Sequence, residues 1–162
     1  MLKQFKIYET IDKPQAVGYR PAMMAWIDLT GCSPATLPDR PGAYSIRSPP
    51  WKATMSGKVL EVIGHISDGG TDISLFVNNQ PICTNNVRYG QKYGFMESDP
   101  NMQHITEISV CRRFGHIKEG DEVSIQAGFD SIKHPIMNFS HGGSHMMAMS
   151  RVSIYRVAIM DV

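Results

Sequence analysis

A histidine, a hydroxyl and a carboxylate stand within four residues in the run Gly64-His65-Ile66-Ser67-Asp68-Gly69-Gly70. An imidazole gives or takes a proton near neutral pH, and a neighbouring carboxylate can hold it in one tautomer. The apolar run Lys58 to Ile63 leads in, with Val59, Glu61 and Ile63 expected on one face and Leu60, Val62 and Gly64 on the other. The alternating Ile73, Leu75 and Val77 lead out. The group is therefore expected at a strand-to-strand turn, where small β proteins carry their sites.

Five further histidines follow: His104, His116, His134, His141 and His145. His65 and His104 are the candidate polar anchors, with Asp68 orienting one of them. Asp130, four residues before His134, forms a reserve pair in which a carboxylate orients an imidazole. The tract His141-Gly142-Gly143-Ser144-His145-Met146-Met147 reads as a lid or a copper-binding segment, against a plain Gly/Ser loop. Eleven methionines are many for 162 residues. Their thioethers fill irregular apolar space. Together with the aromatics they give an expected cavity wall of Trp26, Trp51, Tyr89, Phe95, Met137, Phe139 and Met147. No Gly-x-Ser-x-Gly, P-loop, dinucleotide fingerprint or His-Glu-x-x-His run occurs, which removes most hydrolase, kinase and dehydrogenase readings.

The elements that must hold these groups read as strands. Strands are read at Gln4 to Thr10, the apolar run Met23 to Leu29, Ala43 to Arg47, the alternating Ile73 to Val77, His104 to Cys111, the alternating Val123 to Phe129, and a last strand around Val152 and Ile154. Asn78-Asn79 supplies a tight hairpin, because Asn tolerates positive φ, and Ile82 to Asn85 returns from it. No stretch of useful length shows a 3.6-residue apolar period. Short strands punctuated by Gly, Pro and Asn predict an all-β, single-domain antiparallel sandwich of jelly-roll type over residues 1–162.

Hydrophobic residues make up 42% and charged residues 19%, with a net charge of +1. The chain is globular and has no basic face for nucleic acid or membrane surfaces. It lacks an apolar run of membrane-spanning length and an apolar leader core, so a cytoplasmic location is expected. Cys32, Cys83 and Cys111 are an odd set, read as buried or partly buried free thiols. The Met23-Met24-Ala25-Trp26 run or an exposed strand edge is the candidate contact for a homodimer.

Several pieces recur in one order: Asp28-Leu29-Thr30-Gly31-Cys32, Ser48-Pro49-Pro50-Trp51, Ser56-Gly57-Lys58, the Gly64-to-Gly70 run, Leu75-Phe76-Val77-Asn78, Cys83, Tyr89-Gly90, His104-Ile105, Cys111, Gly120-Asp121, Phe129-Asp130, His134 and Met147-Ala148-Met149. The set resembles small fungal β-sandwich proteins. These in turn resemble the second, methionine-bearing copper domain of peptidylglycine monooxygenase-type enzymes. The resemblance covers roughly residues 26–160. It implies a copper ion held by a His-x-His pair and a Met near the last strand. Here the pair reads His65-Ile66-Ser67, and the Met position falls on Met147, with Met146 and Met149 as alternative registers. A serine hydroxyl is a poor ligand for Cu(I), which prefers imidazole, thioether and thiolate. If Cys83 and Cys111 match paired family positions, they are read here as neighbouring thiols.

Three functions are expected in order. The first is a cofactor-free cyclase or isomerase, pericyclases included, that holds a small apolar natural-product intermediate in a reactive conformation. His65, Asp68, His104, Asp130 and His134 would be its polar groups. The second is a mononuclear copper protein using His65, Met147 and a substitute histidine, His104 or His145. The third is a non-catalytic small-molecule-binding module.

Overall fold

The computed structural model describes residues 22–30, 40–90, 103–112, 115–135 and 148–155, the last of these through backbone and register. The expected strand Gln4–Thr10 lies outside them, as do Phe95, Met137, Phe139, His141, His145 and Met147.

Eleven strands are formed among these residues, and no helix: β1 (Ala22–Asp28), β2 (Ala43–Arg47), β3 (Trp51–Lys52), β4 (Gly57–Ile66), β5 (Gly70–Val77), β6 (Gln80–Gly90), β7 (His104–Ile108), β8 (Val110–Arg112), β9 (His116–Ile117), β10 (Glu122–Asp130) and β11 (Ala148–Tyr155). They pair antiparallel in two sheets. One runs β1-β11-β4-β8, with β9 also on β4; the other runs β2-β10-β5-β6-β7, with β3 also on β10. No helix among the described residues is long and apolar enough to cross a membrane.

The core follows from alternation. Ile27, Val59, Val62 and Ile66 of the first sheet are buried in one cluster with Ile73, Leu75, Val123, Ile125, Ala127 and Phe129 of the second. Each of these side chains larger than alanine contributes about 1.5–3 kcal/mol by leaving water. The β5–β6 hairpin turns on Asn78 (φ 49°) and Asn79 (φ 66°), the two left-handed residues that a two-residue turn between twisted strands requires. The Asn78 side chain also joins the neighbouring turn, donating to Asp121 Oδ1 and accepting from the Glu122 amide.

Two expectations are corrected. The face assignment of β4 changes phase at Leu60. Ser153 pairs with Glu61 while the next residue, Ile154, pairs with Val59, so Leu60 is an extra residue in the ladder. This bulge lets both Val59 and Val62 be fully buried. The free-thiol reading also falls: Cys83 on β6 and Cys111 on β8 form a disulfide between the two sheets. Cys111 is the register partner of buried Val62, which turns it toward the core on a three-residue edge strand. An odd cysteine count excludes a complete framework, but not one bridge.

Candidate functional site

The His65-to-Gly70 run divides between two environments. β4 continues through Ile66, so His65 is a strand residue rather than a turn residue. Its neighbours Gly64 and Ile66 are buried and His65 is exposed, on the outer face of the first sheet. Gly64 allows this close packing, since a Cβ there would stand 2.9 Å from Ile73 Cδ1.

Register then assembles the outer face row by row. Met149 on β11 is the partner of both His65 on β4 and Asp28 on β1. The next row is Trp26, Arg151, Ile63 and Val110, and the third is Met24, Ser153, Glu61 and Arg112. Directly opposed residues share a face with Cβ atoms about 4.5–5.5 Å apart, so an imidazole position and a thioether position are adjacent. Asp28 closes its own turn, accepting from Thr30 N at 3.3 Å and Thr30 Oγ1 at 2.6 Å. Among the described residues, no three of His, Cys, Asp and Glu converge as a metal site.

The turn itself faces the other way. Asp68 Oδ2 lies 2.6 Å from His104 Nδ1, and Asp68 Oδ1 accepts from the Ile105 amide at 3.0 Å. Both ends of this ion-pair geometry are largely buried. Tyr89 Oη accepts from the Gly69 amide and donates to the Gly70 carbonyl, each at 2.9 Å. The turn needs Gly69, whose φ is 94°. Burial, with Asp68 adding negative charge nearby, pushes the Tyr89 phenol up to about 12. Tyr89 is therefore a neutral hydroxyl at any ordinary pH. The His134 ring stacks on Tyr89 with centroids 3.6 Å apart. Loss of solvent, then the Lys133 charge, lowers the His134 pKa, against the opposing pull of Asp130 and Asp68. The named oxygens of Asp68 and Tyr89 already have partners, so the cluster clamps the β4–β5 turn to β6 and β7.

The structure thus brings Asp68 to His104, not to His65. Asp130 does not orient an imidazole; its Oδ1 accepts from the amides of Ile132 and Lys133, capping a turn. His134 meets it through backbone only, its amide donating to the Asp130 carbonyl at 2.9 Å. Of the expected cavity wall, the three described members, Trp26, Trp51 and Tyr89, lie apart. Trp26 is 57% exposed on the outer face of the first sheet. Trp51 pairs with Val123, level with Val77, while Tyr89 touches Gly69 and Gly70 at the far end of β5, about 23 Å along the strand. Met149, one of the alternative registers, is the partner of His65 in the ladder, and Met147 lies outside the described residues. Counting back by twos from Val152 and Ile154 puts 149 on the opposite, outer face.

No family model matches the chain, and no solved structure matches it. Curated proteins similar to it include the probable copper-dependent oxygenase clz3 of Cochliobolus lunatus, 27% identical over 115 residues, which are 70% of this chain and 36% of that protein. The probable copper-dependent oxygenase M1 of Phoma sp. (strain ATCC 20986 / MF5453) is also 27% identical over 115 residues, 70% of this chain and 29% of that protein. The chain spans about a third of the length of these relatives. Their names overturn the expected cofactor-free cyclase or isomerase, and with it the expectation of no cofactor. This all-β sandwich resembles proteins named copper-dependent oxygenases.

Proposed function

We propose that this chain is a copper-binding sandwich domain of the copper-dependent oxygenase kind, with His65 and Met149 as donors. The observation that carries this reading is the register that pairs His65 with Met149 across β4 and β11. Imidazole and thioether are the donors that Cu(I) selects over carboxylate and carbonyl. The exposure of His65 supports it too, since a bound ion and its co-reactant need access from solvent. A copper ion held there would supply the one-electron chemistry toward oxygen that such enzymes use. His65 and Met149 hold, and the β4–β11 ladder sets their spacing. Ser67, where the resemblance calls for a second imidazole, lies beyond the end of β4.

The Cys83–Cys111 bridge supports an oxidising compartment over the expected cytoplasm, where thiols are kept reduced. The experiment is Cu(I) titration of tag-free protein against a competing chelator. Wild type should take up copper, while His65→Ala and Met149→Leu should each lose affinity with unchanged circular dichroism. No uptake by the wild type would reject the reading.

A further inference from the structure

The chain changes sheets at Ser109. Before it, β7 pairs with β6 in the second sheet; after it, β8 pairs with β4 in the first. Ser109 is tied to β6, its amide donating to the Asn86 carbonyl at 2.9 Å and its Oγ accepting from the Asn86 amide at 2.8 Å. The strand that follows is short and lies at the edge of its sheet, opposite Glu61, Val62 and Ile63. Val110 and Arg112 are exposed. The Arg112 Nε bond to Glu61, at 2.9 Å, is open to solvent, where such pairs contribute little. Cys111 between them is half-buried against the core and bridged to Cys83 on β6.

Beside the bridge sits a polar group that the closed fold serves incompletely. Asn85 is fully buried. Its Nδ2 donates to the Val62 carbonyl at 3.1 Å and the Ser109 carbonyl at 2.6 Å, and lies 4.0 Å from Cys111 Sγ. Its Oδ1 is buried and accepts no hydrogen bond among the described residues. A buried acceptor without a donor favours a local opening that admits water.

We propose that β8 is a redox-released flap. The bridge latches Val110–Arg112 onto β4, and its reduction lets this segment swing out about Ser109 while both sheets persist. The reductant is a dithiol. Cys111 offers the half-exposed sulfur and Cys83 the buried one, so the first thiolate attacks Cys111 Sγ. Its sulfur bonds to Cys111 and the bond to Cys83 breaks, with Cys83 leaving as a thiolate that takes a proton. The second thiolate of the dithiol displaces Cys111, which takes the other proton, and the reductant ends as a disulfide. Two electrons pass to the protein. The opening stays local because the β1–β11, β4–β11 and β5–β10 ladders make no use of β8. It leaves β4 with an unpaired edge at Glu61 to Ile63, two residues before His65, in the form that accepts another strand.

Hydrogen exchange read by mass spectrometry tests this on the full, tag-free chain. Three forms are compared: oxidised, treated with dithiothreitol, and the double variant Cys83→Ser, Cys111→Ser. In the oxidised form the amides of Val110–Arg112 should be protected. In the other two they should exchange within about tenfold of an unfolded peptide, while β10 stays protected about a thousandfold or more. Protection lost together in β8 and β10 would overturn the proposal, because the bridge would then support only the fold as a whole. So would β8 amides that remain protected without the bridge, β8 amides already unprotected with it, or a bridge that dithiothreitol leaves intact in the folded chain.

Discussion

His65 and Asp68 are three residues apart and belong to different parts of the molecule. His65 stands exposed on an outer face, positioned by the β4–β11 ladder with Met149 opposite. Asp68 is turned toward the edge of the other sheet and bonded to His104 and the Ile105 amide. The second region has the more elaborate polar chemistry: a carboxylate, two imidazoles and a phenol. Its carboxylate and phenol oxygens are already used within the fold, where they tie the β4–β5 turn to β6 and β7. The first region is simpler, but its imidazole faces solvent. A cluster of titratable groups signals a site only when its groups retain capacity for a ligand.

Substitutions can break this contrast. The largest effect is expected at Asp68. Asp68 bonds the His104 ring and the Ile105 amide in a largely buried setting, and leaving buried polar groups unsatisfied costs about 1–3 kcal/mol each, so Asp68→Ala should lower unfolding free energy by about 2–5 kcal/mol in urea titrations. His65→Ala should stay within about 0.5 kcal/mol of wild type, as exposed positions do. Equal losses at both positions would erase the distinction.

Next is the bridge that joins the two sheets. Closing a loop of 28 residues stabilises by about 3–4 kcal/mol through the unfolded chain. The double variant Cys83→Ser, Cys111→Ser should lose about that much in urea. Tyr89→Phe removes one hydroxyl that serves Gly69 and Gly70, and should cost about 1–2 kcal/mol. It should leave copper affinity unchanged, since its contacts are to the turn and not to His65.

The smallest effect is one of pH. The His134 pKa is lowered in the fold, so the unfolded chain binds more protons on acidification. Its contribution is complete above the ordinary histidine value near 6.5 and is lost as pH falls from there through the lower folded value. His134→Gln should flatten that part of the stability–pH curve, read by thermal melts across the interval.

The architecture was legible because alternation and turn chemistry are local. Ile73-Leu75-Val77 and Val123-Ile125-Ala127-Phe129 became paired core strands, and Asn78-Asn79 became their hairpin neighbour's turn. Long-range facts were not local in this way. The partner of Asp68 lies 36 residues on, and the partner of Cys83 lies 28 on. The bulge at Leu60 leaves no mark in composition, yet it decides which side chains of β4 reach the core. A cavity wall was inferred from residue types alone. Trp26, Trp51 and Tyr89 part company because strand register, which types do not encode, sends them to a face, an edge and an end.

The proposed copper donor is the exposed histidine, and not the buried cluster. Cu(I) competition titrations on wild type, His65→Ala and Asp68→Asn test it directly, with each variant confirmed folded. His65→Ala should lose binding while Asp68→Asn keeps wild-type affinity despite lower stability. Copper retained by His65→Ala and lost by Asp68→Asn would contradict it.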